Sequence, residues 1–268
     1  MATTQDTSLP MSPSVLAKRW LASRGIAVRW ISPTLAQQPE QQLRIDFSML
    51  AAHLASCTER PYFVNIGAHD GITLDPLWPF VRQFKWPGVM LEPLPDVFER
   101  LVENYRPHPQ VQLINAALGP EDGYTTLYSV EVTDPQTLEM SLDSSFSRDI
   151  VMRSAYRLPG LKSKLMERRV RTISVKSLLA EIGNRQIDIL KTDTEGYDLE
   201  ILKLFDLSRI RPSLICAEHV HLDRNGKREL IEILVRGGLK SWMGDCDMIG
   251  YRRPAALDPE DPYLRLAT

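Results

Sequence analysis

The chain has 268 residues, 43% of them apolar and 25% charged, the proportions of a globular protein with room for one large α/β domain and additions to it. A formal net charge of −2 offers no general attraction to nucleic acid or to an acidic membrane surface. Cys57, Cys216 and Cys246 are widely spaced without a Cys-x-x-Cys pair, no apolar stretch approaches the ~18 residues of a membrane span, and no basic-then-apolar leader opens the sequence; the expectation is a cytosolic protein with reduced thiols.

Residues 1–13 are polar and read as disordered. Residues 14–23 place Val15, Leu16, Trp20 and Leu21 at nearly helical spacing, and Gly25 ends that helix. A connector with Pro33 and Pro39 follows. Asp46 can cap a helix to about Ser56, with Phe47, Leu50, Ala51 and Leu54 on one face. Residues 62–66 are a short apolar run that reads as a buried strand, turned by Gly67 and Gly71. Pro76 opens a helix to about Lys85 with Asp75 as its cap, so His69, Asp70 and Thr73 sit in a loop above the strand ends. Residues 87–91 form strand two, closed by Glu92-Pro93. Residues 96–105 form a helix with Val97, Leu101 and Val102 inward, and residues 111–117 form strand three. Asp122-Gly123 signals a hairpin turn into an antiparallel strand, 124–130.

Residues 131–166 show no period and read as an irregular insertion, a substrate-side lid that carries Ser145 and Phe146. A strand at 168–174, a helix from the Ser174 cap to about Ile182, a buried strand at 187–192 and a helix at 198–205 follow. The chain then reads as a strand at 213–217, a helix at 226–236, and two strands, 239–243 and 248–252, paired antiparallel. The tail beyond Pro254 reads as irregular. The alternation predicts an α/β fold with one doubly wound sheet, mostly parallel, helices on both faces and an antiparallel end. Residues 58–254 would form this domain, 1–57 an N-terminal extension of two helices, and 255–268 a tail.

Ligands in such sheets bind beyond the carboxyl ends of the strands. Polar groups gather there at residues 65–70, Glu92, Asn115, 193–195 and 218–221. Glu92 follows the glycine turn by about 25 residues, a placement that suits a ribose hydroxyl pair. A dinucleotide loop would carry a middle glycine for the pyrophosphate. Here the spacing is Gly67-x-x-x-Gly71 and the loop holds no Lys or Arg, which favours S-adenosylmethionine over a phosphate-bearing cofactor. An ordinary strand–turn–helix remains the plainer reading of this stretch.

Four segments carry a family resemblance: Asn65-Ile66-Gly67-Ala68-His69-Asp70-Gly71, Leu91-Glu92-Pro93, Asn115-Ala116-Ala117-Leu118-Gly119, and Lys191-Thr192-Asp193-Thr194-Glu195-Gly196 with its flanks. Through them the chain resembles the FkbM family of S-adenosylmethionine-dependent methyltransferases from about Tyr62 to about Met243. The resemblance implies a class I methyltransferase (Rossmann-like) fold acting on a hydroxyl oxygen of a small molecule or sugar-containing metabolite. It departs from the family at Asn65, where Asp is frequent, and at Asp70, where Asn is frequent. Asp70 or the backbone would then take over the methionine ammonium contact. The cofactor set implied is Asn65, Gly67, Ala68, His69, Asp70, Gly71, Glu92, Pro93, Asn115, Ala116 and Asp193.

For catalysis the candidates are Asp193, Glu195, His219 and His221, Glu195 being equally suited to capping the next helix. The two histidines alternate along an extended segment, so only one can face the site; that one could act as base. Asp193, Glu218 and His219 could hold a divalent cation, although no spacing signature marks them. The expected partner is a small-molecule acceptor, with no nucleic acid and no membrane; the two N-terminal helices could cover the cofactor site, pack on the sheet edge or form the surface of a homo-oligomer. Competing readings are an N- or carboxyl-methyltransferase acting on a peptide or natural product, a nicotinamide-dependent oxidoreductase, and a non-catalytic binding module.

Overall fold

A computed structural model describes residues 46–130, 144–156 and 165–252. The expectations for the first helix, the connector, the middle of the insertion and the tail lie outside the described residues. Strands in chain order are β1 (Phe63–Ile66), β2 (Gly88–Leu91), β3 (Val111–Ile114), β4 (Ala117–Gly119), β5 (Gly123–Val130), β6 (Leu165–Ser174), β7 (Ile189–Thr192), β8 (Leu214–Glu218), β9 (Lys240–Met243) and β10 (Asp247–Tyr251). Helices are α1 (Phe47–Cys57), α2 (Trp78–Phe84), α3 (Pro95–Tyr105), α4 (Arg148–Tyr156), α5 (Val175–Glu181), α6 (Asp198–Leu204), α7 (Leu207–Ile210) and α8 (Arg224–Arg236).

A seven-stranded sheet runs β3-β2-β1-β7-β8-β10-β9. The first five are parallel, and β10 pairs antiparallel with both β8 and β9. Every residue of β1, β2 and β7 is buried, as expected of central strands covered on both faces. Alternation divides their side chains into two layers. Val64, Ile66, Val89, Leu91, Leu190 and Ile215 pack with Leu178 of α5, Leu202 of α6 and Leu230 of α8. Phe63, Met90, Ile189, Leu214 and Cys216 pack with Phe47 and Leu54 of α1, Phe80 of α2 and Leu101 of α3. The order reverses between β1 and β7, so the carboxyl ends of those strands face an open crevice.

Two of the caps read from the sequence hold their helix starts. Asp46 accepts from Met49 N and Ser174 from Ser177 N, each stabilising its helix by about 1 kcal/mol. Asp75 does not cap: α2 begins later, at Trp78, and the Asp75 carboxylate instead accepts from Leu77 N and from Asn65 Nδ2. On α3, Tyr105 rather than Val102 turns inward.

Two differences bear on the site. The expected third strand, 111–117, breaks at Asn115, whose Nδ2 donates to the carbonyls of Glu92 at 2.8 Å and Pro93 at 3.2 Å. The chain turns there, and β4 joins a second, three-stranded sheet, β4-β6-β5, in place of the single sheet expected. The insertion is also not wholly irregular. It contributes α4, whose Val151 is fully buried against Tyr128 and Leu165, and the first two paired residues of β6, Leu165 and Met166. Among the described residues no helix is long and apolar enough to cross a membrane.

Candidate functional site

The ends of β1, β2 and β7 border a cleft of about 520 Å³, open solvent at its mouth included. Gly67, His69, Glu92 and Pro93 form one wall. Ala116, Ala117, Leu118 and Leu127 form an apolar floor. Asp193, Thr194 and Glu195 stand opposite, and Ser144 and Phe146 close a side.

Gly67 has φ +78°, and a Cβ there would lie 1.9 Å from the Asp193 carbonyl oxygen. The glycine is therefore required by the approach of two backbones, the end of β1 and the end of β7, before any ligand is considered. Gly71, at φ +73°, leaves room for the Tyr105 ring and Leu101 in the same way. Between them, Asp70 binds its own loop: Oδ1 accepts from Ile72 N and Thr73 N, and Oδ2 from Thr73 Oγ1. Burial opposes ionisation of this carboxyl, but His69 and those donors outweigh burial and hold it below the usual carboxylate range. Asn104 Nδ2 donates to the Asp70 carbonyl, and Tyr105 Oη to that of Gly71. Asn65 is fully buried and engaged with Asp75. Ala68 is buried, its amide donating to the Leu91 carbonyl. So Asn65, Ala68, Asp70 and Gly71 shape the loop from behind, whereas Gly67, His69, Glu92, Pro93 and Ala116 reach the cleft surface.

Glu92 ends the β2 side of the crevice and is 5% exposed. Its Oε2 accepts from His69 N at 3.0 Å and its Oε1 from Leu94 N at 2.9 Å. Each oxygen keeps a further lone pair for a hydroxyl. Burial, only partly offset by these bonds, pushes the carboxyl up to about 7.

Across the cleft, Lys191 Nζ donates to Asp193 Oδ2 at 3.1 Å. Glu195 adopts φ +51° and Gly196 φ +97°, an unusual pair of left-handed residues that turns the Glu195 side chain inward. The insertion braces this turn. Ser145 Oγ donates to the Glu195 carbonyl at 2.6 Å, and Ile150 fills the space where a Cβ on Gly196 would sit. Ser145 is thus a buried clamp, while Phe146 lines the cleft with its ring edge-on to Tyr197.

His221 Nε2 lies 2.8 Å from Glu195 Oε2 and 3.8 Å from Glu218 Oε2. His219 faces the other way: its amide donates to the Cys246 carbonyl, and its Nε2 is 3.2 Å from the Gly244 carbonyl, in the turn between β9 and β10. Burial, then Glu195, Asp193, Asp198 and Asp247, drive Glu218 up to about 9. Among the described residues, the trio whose ligand atoms lie within 4.8 Å of one another is Glu195, Glu218 and His221. The cation set expected from the sequence is corrected accordingly. Alternation turns His219 away to the β9–β10 turn, and Glu195 takes the place of Asp193.

The sequence matches the description "Methyltransferase FkbM domain" over residues 65–240. The chain belongs to the FkbM methyltransferase family. No curated protein matches it. Among solved structures, similarity is found to the FkbM methyltransferase of Methylobacillus flagellatus KT, at 14% identity and TM-score 0.46, covering 89% of this chain. The chain spans 59% of the length of that structure. A methyltransferase from Geobacter sulfurreducens is similar at 17% identity and TM-score 0.38, covering 92% of each chain. Aeropyrum pernix fibrillarin, solved with natively bound S-adenosyl-L-methionine, is similar at 13% identity and TM-score 0.34, covering 76% of this chain and 73% of its own.

Site features of this FkbM domain missed from sequence include Lys191, Asp75, Thr194 and the apolar floor of Leu118 and Leu127. Lys191 left a signal: a lysine within the apolar run of a buried strand requires an anionic partner, and Asp193 is the next residue on the same face. Leu127 left none, because β5 reaches the cleft only through the second sheet.

Proposed function

We propose that the chain is an S-adenosylmethionine-dependent methyltransferase whose acceptor atom is a hydroxyl oxygen of a small molecule or sugar-containing metabolite. The observation that carries this reading is the position of Glu92. It is a buried carboxylate at the end of β2, with lone pairs free toward a cleft that has an apolar floor and, among the described residues, no Lys or Arg in its lining to hold a phosphate. Glu92 would accept both ribose hydroxyls in charge-assisted bonds, the adenine would lie over Ala116 and Ala117, and Asp193 would meet the methionine end.

Transfer from a sulfonium requires the acceptor oxygen in line with the breaking S–CH3 bond, so positioning supplies most of the rate. As the O–CH3 bond forms, the hydroxyl proton must leave. Glu195 faces the cleft and takes that proton, and His221, hydrogen-bonded behind it, orients the carboxylate and shares the proton. Ser145 and Ile150 fix the loop that aims Glu195.

A screen of oxygen acceptors with methyl-labelled cofactor tests the reading. Label found only on nitrogen or carboxylate acceptors would overturn the hydroxyl assignment and leave the cofactor standing. A second reading is favoured by one observation, the proximity of Glu195, Glu218 and His221: a divalent cation held there would orient the acceptor oxygen instead. Titration of chelator-treated protein with Mn²⁺ alone decides between them. One saturable equivalent, abolished in Glu218→Gln, supports the cation, and its absence leaves the proton-acceptor role to Glu195.

A further inference from the structure

Lys191 lies in the third position of β7 with its side chain 6% exposed. It shares a face with Ile189, and its partners in register are Asn65 of β1 and Cys216 of β8. Beyond Asn65 that layer is apolar, built from Phe63, Met90, Leu214 and Ile249. Apolar side chains replacing Lys191 and its buried acidic partner together would suit such a layer at least as well, since buried ion pairs are rarely more stable than well-packed apolar side chains of similar volume. The ammonium therefore calls for a reason beyond stability.

Its contacts supply one. Nζ donates to Asp193 Oδ2, and the buried Asp75 carboxyl favours the charged form of the same ammonium through space. Burial alone would strip the lysine of its proton, but Asp193 and then Asp75 outweigh it and keep the side chain charged. Asp75 is itself immobilised by Asn65 Nδ2 at 2.7 Å and Leu77 N at 2.8 Å. The series runs from buried Asn65 through Asp75 and Lys191 to Asp193, whose side chain is 41% exposed and lines the cleft. The Asp193 backbone is already held, its amide by the Ile66 carbonyl and its own carbonyl against Gly67. What remains free is rotation of its carboxylate, and Lys191 is the group that stops it.

We propose that Lys191 is a positioning residue: its ammonium, backed by Asp75, holds the Asp193 carboxylate turned toward the cationic methionine end of the bound cofactor. This rests on the S-adenosylmethionine reading given above. The lysine touches neither cofactor nor acceptor and acts through Asp193.

The test is a double-mutant cycle on cofactor affinity, read by calorimetric titration of S-adenosylmethionine into the full chain. The proteins are wild type, Lys191→Met, Asp193→Asn and the pair combined. Each single change is expected to weaken binding at least tenfold, and the combined variant to bind within twofold of Asp193→Asn, because the lysine has nothing left to orient. Effects that multiply, or a Lys191→Met protein that binds as wild type does, overturn the proposal. Should Lys191→Met fail to fold with Asp75 uncompensated, the cycle is run in an Asp75→Asn background, so that Lys191→Met leaves no acidic partner at position 75 uncompensated. The same weakening on Lys191→Met and the same non-additivity with Asp193→Asn are expected there, and multiplying effects again overturn it. A folded wild-type chain that does not bind the cofactor takes down the cofactor reading and this proposal together, whereas wild-type binding with multiplying effects takes down the proposal alone.

Discussion

At the ends of β1 and β2 the polar groups of the cleft are tied to backbone. Asp70 binds Ile72 and Thr73, Glu92 binds His69 and Leu94, and Asn115 binds Glu92 and Pro93. At the ends of β7 and β8 the groups are tied to one another. Asp193, Glu195, Asp198, Glu218 and Asp247 crowd together, and Glu218 is driven up to about 9 by burial and by those neighbours. The first half is a rigid cradle assembled from short-range hydrogen bonds, whose geometry exists before a ligand arrives. The second stores like charge, relieved by Lys191 below and His221 beside it, and that is the half suited to moving a proton or meeting a cation. Substitutions in the cradle should therefore act on stability and cofactor affinity, and substitutions at Glu195 and His221 on turnover, with Lys191 and Asp193 at the seam acting on cofactor affinity.

The largest expected effect breaks the seam between them. Gly67→Ala sets a Cβ against the Asp193 carbonyl in a left-handed conformation, and should cost about 4 kcal/mol in denaturant unfolding. A cost below about 1 kcal/mol would show that the strand ends separate easily. Next, Glu195→Gln should lower labelled methyl transfer roughly a hundredfold while S-adenosylmethionine affinity stays within about twofold. Equal reductions in both would erase the division between the halves.

The third effect is one of pH. On the proposed reading Glu92 would bind the ribose as a carboxylate, and its folded-state value is raised to about 7. The sign follows directly: below 7 the group is protonated and no longer accepts both ribose hydroxyls as an anion, so affinity rises with pH through 7 and then levels. Between pH 6 and pH 8 the dissociation constant should fall about tenfold, and Glu92→Gln should flatten the profile. The smallest effect is expected for Asn115→Ala, about 1 kcal/mol of stability, from removal of two hydrogen bonds to the turn that follows β2. A larger cost would mean that Asn115 also holds β3 and β4 at their angle.

Much of this division was legible in the amino-acid sequence. Short apolar runs bounded by glycine and proline marked the central strands, and Asp46 and Ser174 marked helix starts, because those signals are local. The break at Asn115 was not legible. It depends on carbonyls of Glu92 and Pro93, brought alongside only when β2 and β3 pair. Alternation required His219 and His221 to point apart, but which of them faces the site is decided by the β9–β10 turn, which takes His219. Ser145 was expected at the substrate. Its hydroxyl is committed to the Glu195 carbonyl, across fifty residues of chain. α4 escaped because its Val151 finds burial only against β5 and β6.

The central claim is that Glu92 anchors an S-adenosylmethionine molecule in this cleft. The measurement that tests it most directly is calorimetric titration of the folded chain with S-adenosylmethionine and, separately, with NAD, repeated on Glu92→Ala. The account predicts one saturable site for S-adenosylmethionine, weakened about a hundredfold in the variant, as two charge-assisted hydrogen bonds require, and no site for NAD. A folded, ligand-free wild type that takes up NAD and not S-adenosylmethionine, or one whose S-adenosylmethionine affinity is indifferent to Glu92, would contradict it.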